Sequence, residues 1–155
     1  MNEKIQDKVL HRVEHLDCED IILLARYLSK LDPHNGAAGD REKRVKFAQE
    51  ALIKMSERLQ SKEFMHELRL LYSYENWMTL MINVNLTFSN VVFASGHPLQ
   101  EGILKANQDF GSIFSEELKR VYLSPGQRMT RTTAAGEISS KELLKIFDQL
   151  SRFNL

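Results

Sequence analysis

Apolar positions along this 155-residue chain recur mostly at helical spacing. Residues at i, i+3, i+4 and i+7 share one face of a helix, whereas a half-buried strand alternates every second residue. Residues 3 to 16 place Ile5, Val9, Val13 and Leu16 on one helical face, with His11 and His15 opposite. Asp17 reads as an N-cap, with Asp20 three residues on, because a carboxylate there accepts from otherwise orphaned backbone N–H groups. The helix it opens, Cys18 to Leu31, turns Ile21, Leu24, Leu28 and Leu31 inward. Asp32-Pro33 stops it, since proline lacks the N–H and disfavours helical geometry in the residue before it. Residues 32 to 39 form a loop with an Asn35-Gly36 turn. Asp40 reads as the cap of a long helix to about Gln60, with Val45, Ala48, Leu52, Met55 and Leu59 on its inner side. Ser61 caps a further helix with Phe64, Leu68 and Leu71 inward. That helix either continues into the central stretch or bends near Tyr74.

The central stretch, Trp77 to Phe93, is the most apolar part of the chain, and the fold class rests on it. Ile82, Val84, Leu86 and Phe88 alternate with Asn83, Asn85, Thr87 and Ser89, which is a strand pattern. As a helix, Thr79, Asn83, Thr87 and Asn90 gather into one narrow polar stripe, opposite Trp77, Leu80, Met81, Val84, Phe88 and Val91. The helical template accounts for the whole segment and the strand template for eight residues of it. No other segment offers long strand partners, and an isolated hairpin is marginal. A helix apolar on most of its circumference is a buried one.

Gly96-His97-Pro98 ends that helix and starts another, with Leu99, Ile103 and Leu104 inward up to Phe110. Gly111 is read as an interruption, followed by a short helix from about Ser112 to Leu123. Residues 124 to 136 lack helical pattern and form the second loop. Ser139-x-x-Glu142 is a capping box for a last helix carrying Leu143, Leu144, Ile146, Phe147 and Leu150. The expectation is an all-α fold, one domain over residues 1–155 with about six to eight helices. The alternative is α+β with a small antiparallel hairpin at 80–94.

Composition narrows the function classes. Hydrophobic residues make up 43% and charged residues 27% of the chain, both ordinary for a globular domain. Lys plus Arg and Asp plus Glu number 21 each, so the net charge is zero and no global field steers the chain to nucleic acid or membrane. The single cysteine, Cys18, points to a reducing compartment. The N-terminus alternates charged and apolar residues, unlike a signal peptide. The three Asn, two Thr and one Ser of the central stretch argue against a lipid-facing span. A cytoplasmic protein that does not engage a membrane is expected.

Candidate chemistry is sparse. His11, His15 and Cys18 have metal-ligand spacing only if one helix runs through all three, and Asp17 as a cap breaks it. GSIFSEEL at 111–118 echoes GEISSKEL at 136–143, each with a Glu where a calcium loop ends. The earlier ligand positions supply no carboxylate, so calcium is rejected and the echo reads as two similar helix starts. His97 and Glu101 could form an acid–base pair, but no nucleophile or oxyanion site accompanies them. No catalytic residue, cofactor or metal is therefore assigned. Lys119, Arg120, Arg128 and Arg131 sit in a run from 119 to 136 without an acidic residue, a composition that grips phosphates. Tyr72, Tyr74 and Trp77 suit an interface and suit a core equally well. The leading expectation is a non-enzymatic protein-binding or regulatory module that acts on a protein partner or by self-association. The first alternative is a nucleic-acid-binding regulator using the 119–136 loop, and the second is an enzyme built on His97 and Glu101.

Overall fold

Three of the helices begin on a side-chain cap that the sequence supplies. The computed structural model describes residues 3–31, 38–91, 99–123 and 140–153. They form α1 (Glu3–Arg12), a 3-10 turn (Val13–His15), α2 (Cys18–Lys30), α3 (Ala38–Leu59), α4 (Lys62–Leu71), α5 (Tyr74–Asn90), α6 (Gln100–Leu123) and α7 (Ser140–Ser151). Among the described residues there are seven α-helices and no strand, so the fold is all-α. Asp17 caps α2 by accepting from the Asp20 N–H at 2.9 Å. Ser61 caps α4 by accepting from the Phe64 N–H. The chain does not run straight from α4 into α5. It breaks at Tyr72–Ser73, where Ser73 and Asn76 form a reciprocal capping box.

The central stretch is helical, which removes the hairpin reading as far as Val91 (residues 92–94 lie outside the described ones). Trp77, Leu80, Met81 and Val84 of α5 are fully buried. This helix packs most widely on α2, then on α6 and α7, while α3 lies chiefly against α6. Trp77 meets Tyr72 edge-on at 5.1 Å and Phe114 at 6.4 Å. Phe110 stacks on Phe114 at 5.8 Å, and Phe153 closes the cluster at 5.5 Å from Phe114. Rings in such arrangements add about 0.5–1.5 kcal/mol per pair beyond their buried area. The polar stripe of α5 is met from inside the chain. Thr87 is buried and donates to the Asn83 carbonyl at 2.8 Å, and with Asn90 it lines a crevice against Leu28 and Val45.

Several expected boundaries and faces are corrected. Gly111 does not interrupt α6. A glycine inside a helix costs only about 1 kcal/mol relative to alanine, and burial of Phe110 and Phe114 on either side offsets it. The first copy of the sequence echo therefore lies within α6 and is not a helix start. Asp40 lies inside α3, which begins at Ala38, within the expected 32–39 loop. The rest of that loop, the 124–136 loop and Ser139 lie outside the described residues. The inner face of α1 is rotated, with Gln6 buried and Ile5 exposed, while Val13 of the 3-10 turn is buried as expected. Leu71 and Leu104, expected inward, are exposed, and so are Leu143, Leu144 and Phe147 of the last helix. Gly102 brings α6 close to α3, where an added Cβ would stand 2.9 Å from the Ile53 Cδ1.

Candidate interaction site

Helix α7 is held by one edge. Ile146 is buried, and Phe153, just past the helix end, is fully buried. Beside them, buried Asn85 of α5 donates through Nδ2 to the Gln149 carbonyl at 3.0 Å and to Gln149 Oε1 at 2.8 Å. With about 100° between successive residues, Leu143, Phe147 and Leu144 form a continuous apolar stripe next to that edge. They are 40%, 58% and 68% exposed. The docked edge is thus displaced from the centre of the helix's apolar arc, and much of that arc faces outward. An amphipathic helix of a self-contained fold normally buries the centre of that arc.

The border of the stripe is basic. Lys141 and Lys145 are exposed on the Leu144 side, and Arg152 holds Asp148 at 3.3 Å. With Glu142 on the far side of the helix, three cations stand against two anions, a local charge of +1. A second exposed apolar pair lies on α4, where Leu70 and Leu71 are 74% and 68% exposed. Consecutive in sequence, they point about 100° apart on the helix, with exposed Glu63 and Glu67 between them and His66 beyond Leu70. Arg69, on the adjoining side, is tied to Glu117 of α6 by two donors at 2.8 Å. The exposed charges of α4 are therefore the acids Glu63 and Glu67 and the cation Lys62, with Arg69 paired and His neutral.

The residues singled out from sequence fall in different places. Tyr72, Tyr74 and Trp77 have the core role of their two readings: all are buried, and the Tyr72 hydroxyl donates to the Cys18 carbonyl. Burial pushes the Tyr72 phenol up, and burial followed by the nearby Glu67 and Asp17 carboxylates pushes the Cys18 thiol up. Lys119 is exposed, while Arg120 donates to Glu117 Oε2 at 2.9 Å and so is partly committed within the fold. Arg128 and Arg131 lie outside the described residues, as does His97. Glu101 is exposed on the first turn of α6. His11 and His15 are exposed and Cys18 is buried on separate elements. Among the described residues no group of three ligating side chains could hold a metal. No helix there is long and apolar enough to cross a membrane.

A groove of about 280 Å³ lies where α5, α6 and the end of α7 meet, lined by Phe88, Leu104, Asn107 and Arg152. Its volume is just under the roughly 300–1,000 Å³ of small-molecule sites. The chain matches no family model, no curated protein and no solved structure. Sequence reasoning missed the Asn85–Gln149 junction, because Asn85 sits in an alternating polar run with nothing to set it apart from Asn83. Its only available signal is that it falls outside the polar stripe on the helical wheel.

Proposed function

We propose that this chain is a cytoplasmic, non-enzymatic protein-binding module, and that Leu143, Leu144 and Phe147 of α7 form the face that meets its partner. The observation that carries the reading is the outward stripe of α7. Contiguous exposed apolar residues rimmed by charge are typical of protein contact surfaces, and isolated ones are not. The long basic residues at the border supply orientation and attraction without having to be desolvated. The compartment rests on the single cysteine, which sits buried as a thiol in α2.

The test is site-specific photo-crosslinking in the cell of origin. A photoreactive amino acid replaces Leu144, and in a control chain replaces exposed Glu57 on α3. The expected result is a discrete adduct from position 144 that position 57 does not give, lost when Phe147→Ser is added. Absence of any adduct specific to position 144 would refute the reading.

A further inference from the structure

We propose that the groove where α5, α6 and the end of α7 meet is a binding site for a small monocarboxylate with a compact apolar body. Leu143, Leu144 and Phe147 do not line it, so the proposal does not depend on the reading of α7 as a protein-binding face. The groove holds about 280 Å³, which suits a ligand smaller than a drug-sized molecule, and spaces between the helices of a bundle are a common place for one. Its walls are of two kinds. The apolar wall is Phe88 of α5, half-buried, and Leu104 of α6, which is 51% exposed. Covering them takes apolar surface out of water. The polar wall is Asn107 and Gln108 of α6 with Arg152 just past α7. Asn107 is half-buried, and neither amide side chain has a partner among the described residues. Asn85 and Ser89 also line the groove, but the fold already uses them: Asn85 donates to Gln149, and the Ser89 hydroxyl donates to the Asn85 carbonyl at 3.0 Å.

Arg152 sets the charge of the ligand. Among the described residues that line the groove, it alone is charged. Its Nη2 meets Asp148 at 3.3 Å, with the two side chains 50% and 62% exposed. An exposed pair of this kind contributes little. It also engages one nitrogen only, whereas a ligand carboxylate can take two parallel N–H bonds from the guanidinium fork. The neighbouring charges stand back from the groove. Glu101 lies one turn before Leu104, Glu142 and Lys145 lie two turns before Gln149 and Arg152, and none of them lines it. Lys105 and Asp109 of α6 hold each other at 2.8 Å. The charged residue of α5 is Glu75, in its first turn, whereas the groove lies along its last turns. An amine would face Arg152 with no acid lining the groove, and a phosphate dianion would find one cation for two charges. A single carboxylate on Arg152, with its body against Phe88 and Leu104 and its free edge toward the two amides, matches what the walls present.

NMR titration of the isotope-labelled full chain tests the site, with 3-phenylpropionate as the probe and 3-phenylpropanol as its uncharged counterpart, at constant pH and ionic strength. The acid is expected to shift the side-chain amides of Asn107 and Gln108 and the backbone amides of Phe88 and Leu104 saturably. For a ligand of this size the Kd should be on the order of 1 mM. The alcohol should bind about tenfold more weakly. Arg152→Gln is expected to bring the acid down to the level of the alcohol, and Leu104→Ala to weaken both probes alike. Both positions are exposed, and circular dichroism checks that each variant stays helical. No saturable shift at these four residues up to about 20 mM acid, or saturation confined to other parts of the chain, would overturn the site. Equal affinity for acid and alcohol, or an acid affinity unchanged by Arg152→Gln, would overturn the carboxylate assignment.

Discussion

Replacing Asn85 with alanine tests how α7 is held. Asn85 is buried, and its one amide nitrogen serves two acceptors on Gln149, at 3.0 and 2.8 Å. Each bond lost from a buried site costs about 0.5–1.5 kcal/mol net, and more where an acceptor is stranded. Stranding is limited here. The Gln149 carbonyl also accepts from the Arg152 N–H at 3.3 Å, and the half-buried Gln149 side chain can turn to water. The expected loss is therefore about 2 kcal/mol. For a chain of this size that lowers the melting temperature by roughly 4–8 °C. The single tryptophan, Trp77, is fully buried and reports urea unfolding by fluorescence. Amide hydrogen exchange over residues 140–151 should accelerate more than exchange over α5. A twelve-residue helix is marginal without its packing and opens locally once its anchor is cut. Gln149→Ala, which removes only the side-chain acceptor, should cost about 1 kcal/mol and couple to Asn85→Ala by a similar amount. A urea midpoint unchanged by Asn85→Ala, with exchange over α7 also unchanged, would refute this account of the junction.

Two further predictions concern the rest of the bundle. Glu117 is buried between Arg69 of α4 and Arg120 of its own helix. Glu117→Ala should lower stability by about 2 kcal/mol in a thermal melt, and Glu117→Gln by less. That is under the roughly 3–5 kcal/mol for breaking a fully buried pair, because both guanidiniums are partly exposed and can rehydrate. The second prediction is alkaline weakening. Cys18 and Tyr72 both have raised proton affinity in the folded chain, so on raising the pH the unfolded state loses these protons first. Their contribution is complete below the ordinary thiol range and declines as pH rises through it toward the folded values. Urea midpoints from about pH 8 to about pH 10.5 should fall, and the fall should be shallower in Tyr72→Phe. An identical slope in that variant would contradict the assignment.

The elements were largely legible in the sequence, and their orientation was less so. Asp17 and Ser61 announce helix starts because their side chains satisfy backbone groups within the next three residues, a wholly local requirement. The helical nature of the central stretch was readable for a related reason: only helical spacing sorts Thr79, Asn83, Thr87 and Asn90 onto one side. Which face of a helix turns inward depends on neighbours far along the chain. Periodicity treats Leu143, Ile146, Phe147 and Leu150 alike, but docking of Asn85 on Gln149 selects the Ile146 edge and turns Leu143 and Phe147 outward. Gly111 misled because helix propensity is a small term, overridden when the rings on either side are buried. The aromatics Tyr72, Tyr74 and Trp77 stood out by composition and are buried, while the exposed apolar stripe lies on Leu143, Leu144 and Phe147 of α7, where periodicity shows no difference from core positions.

The most direct measurement is the stability of Leu144→Ala with Phe147→Ala in dilute solution, where any partner is absent. At 68% and 58% exposure these side chains bury only part of their surface within the chain. At about 1.5–3 kcal/mol for complete burial of each, the pair should cost no more than about 2 kcal/mol, read as a small shift of the urea midpoint by Trp77 fluorescence. A loss of about 5 kcal/mol or more, the scale of two core truncations, would mean that the fold itself covers this stripe and that α7 has no face left to offer.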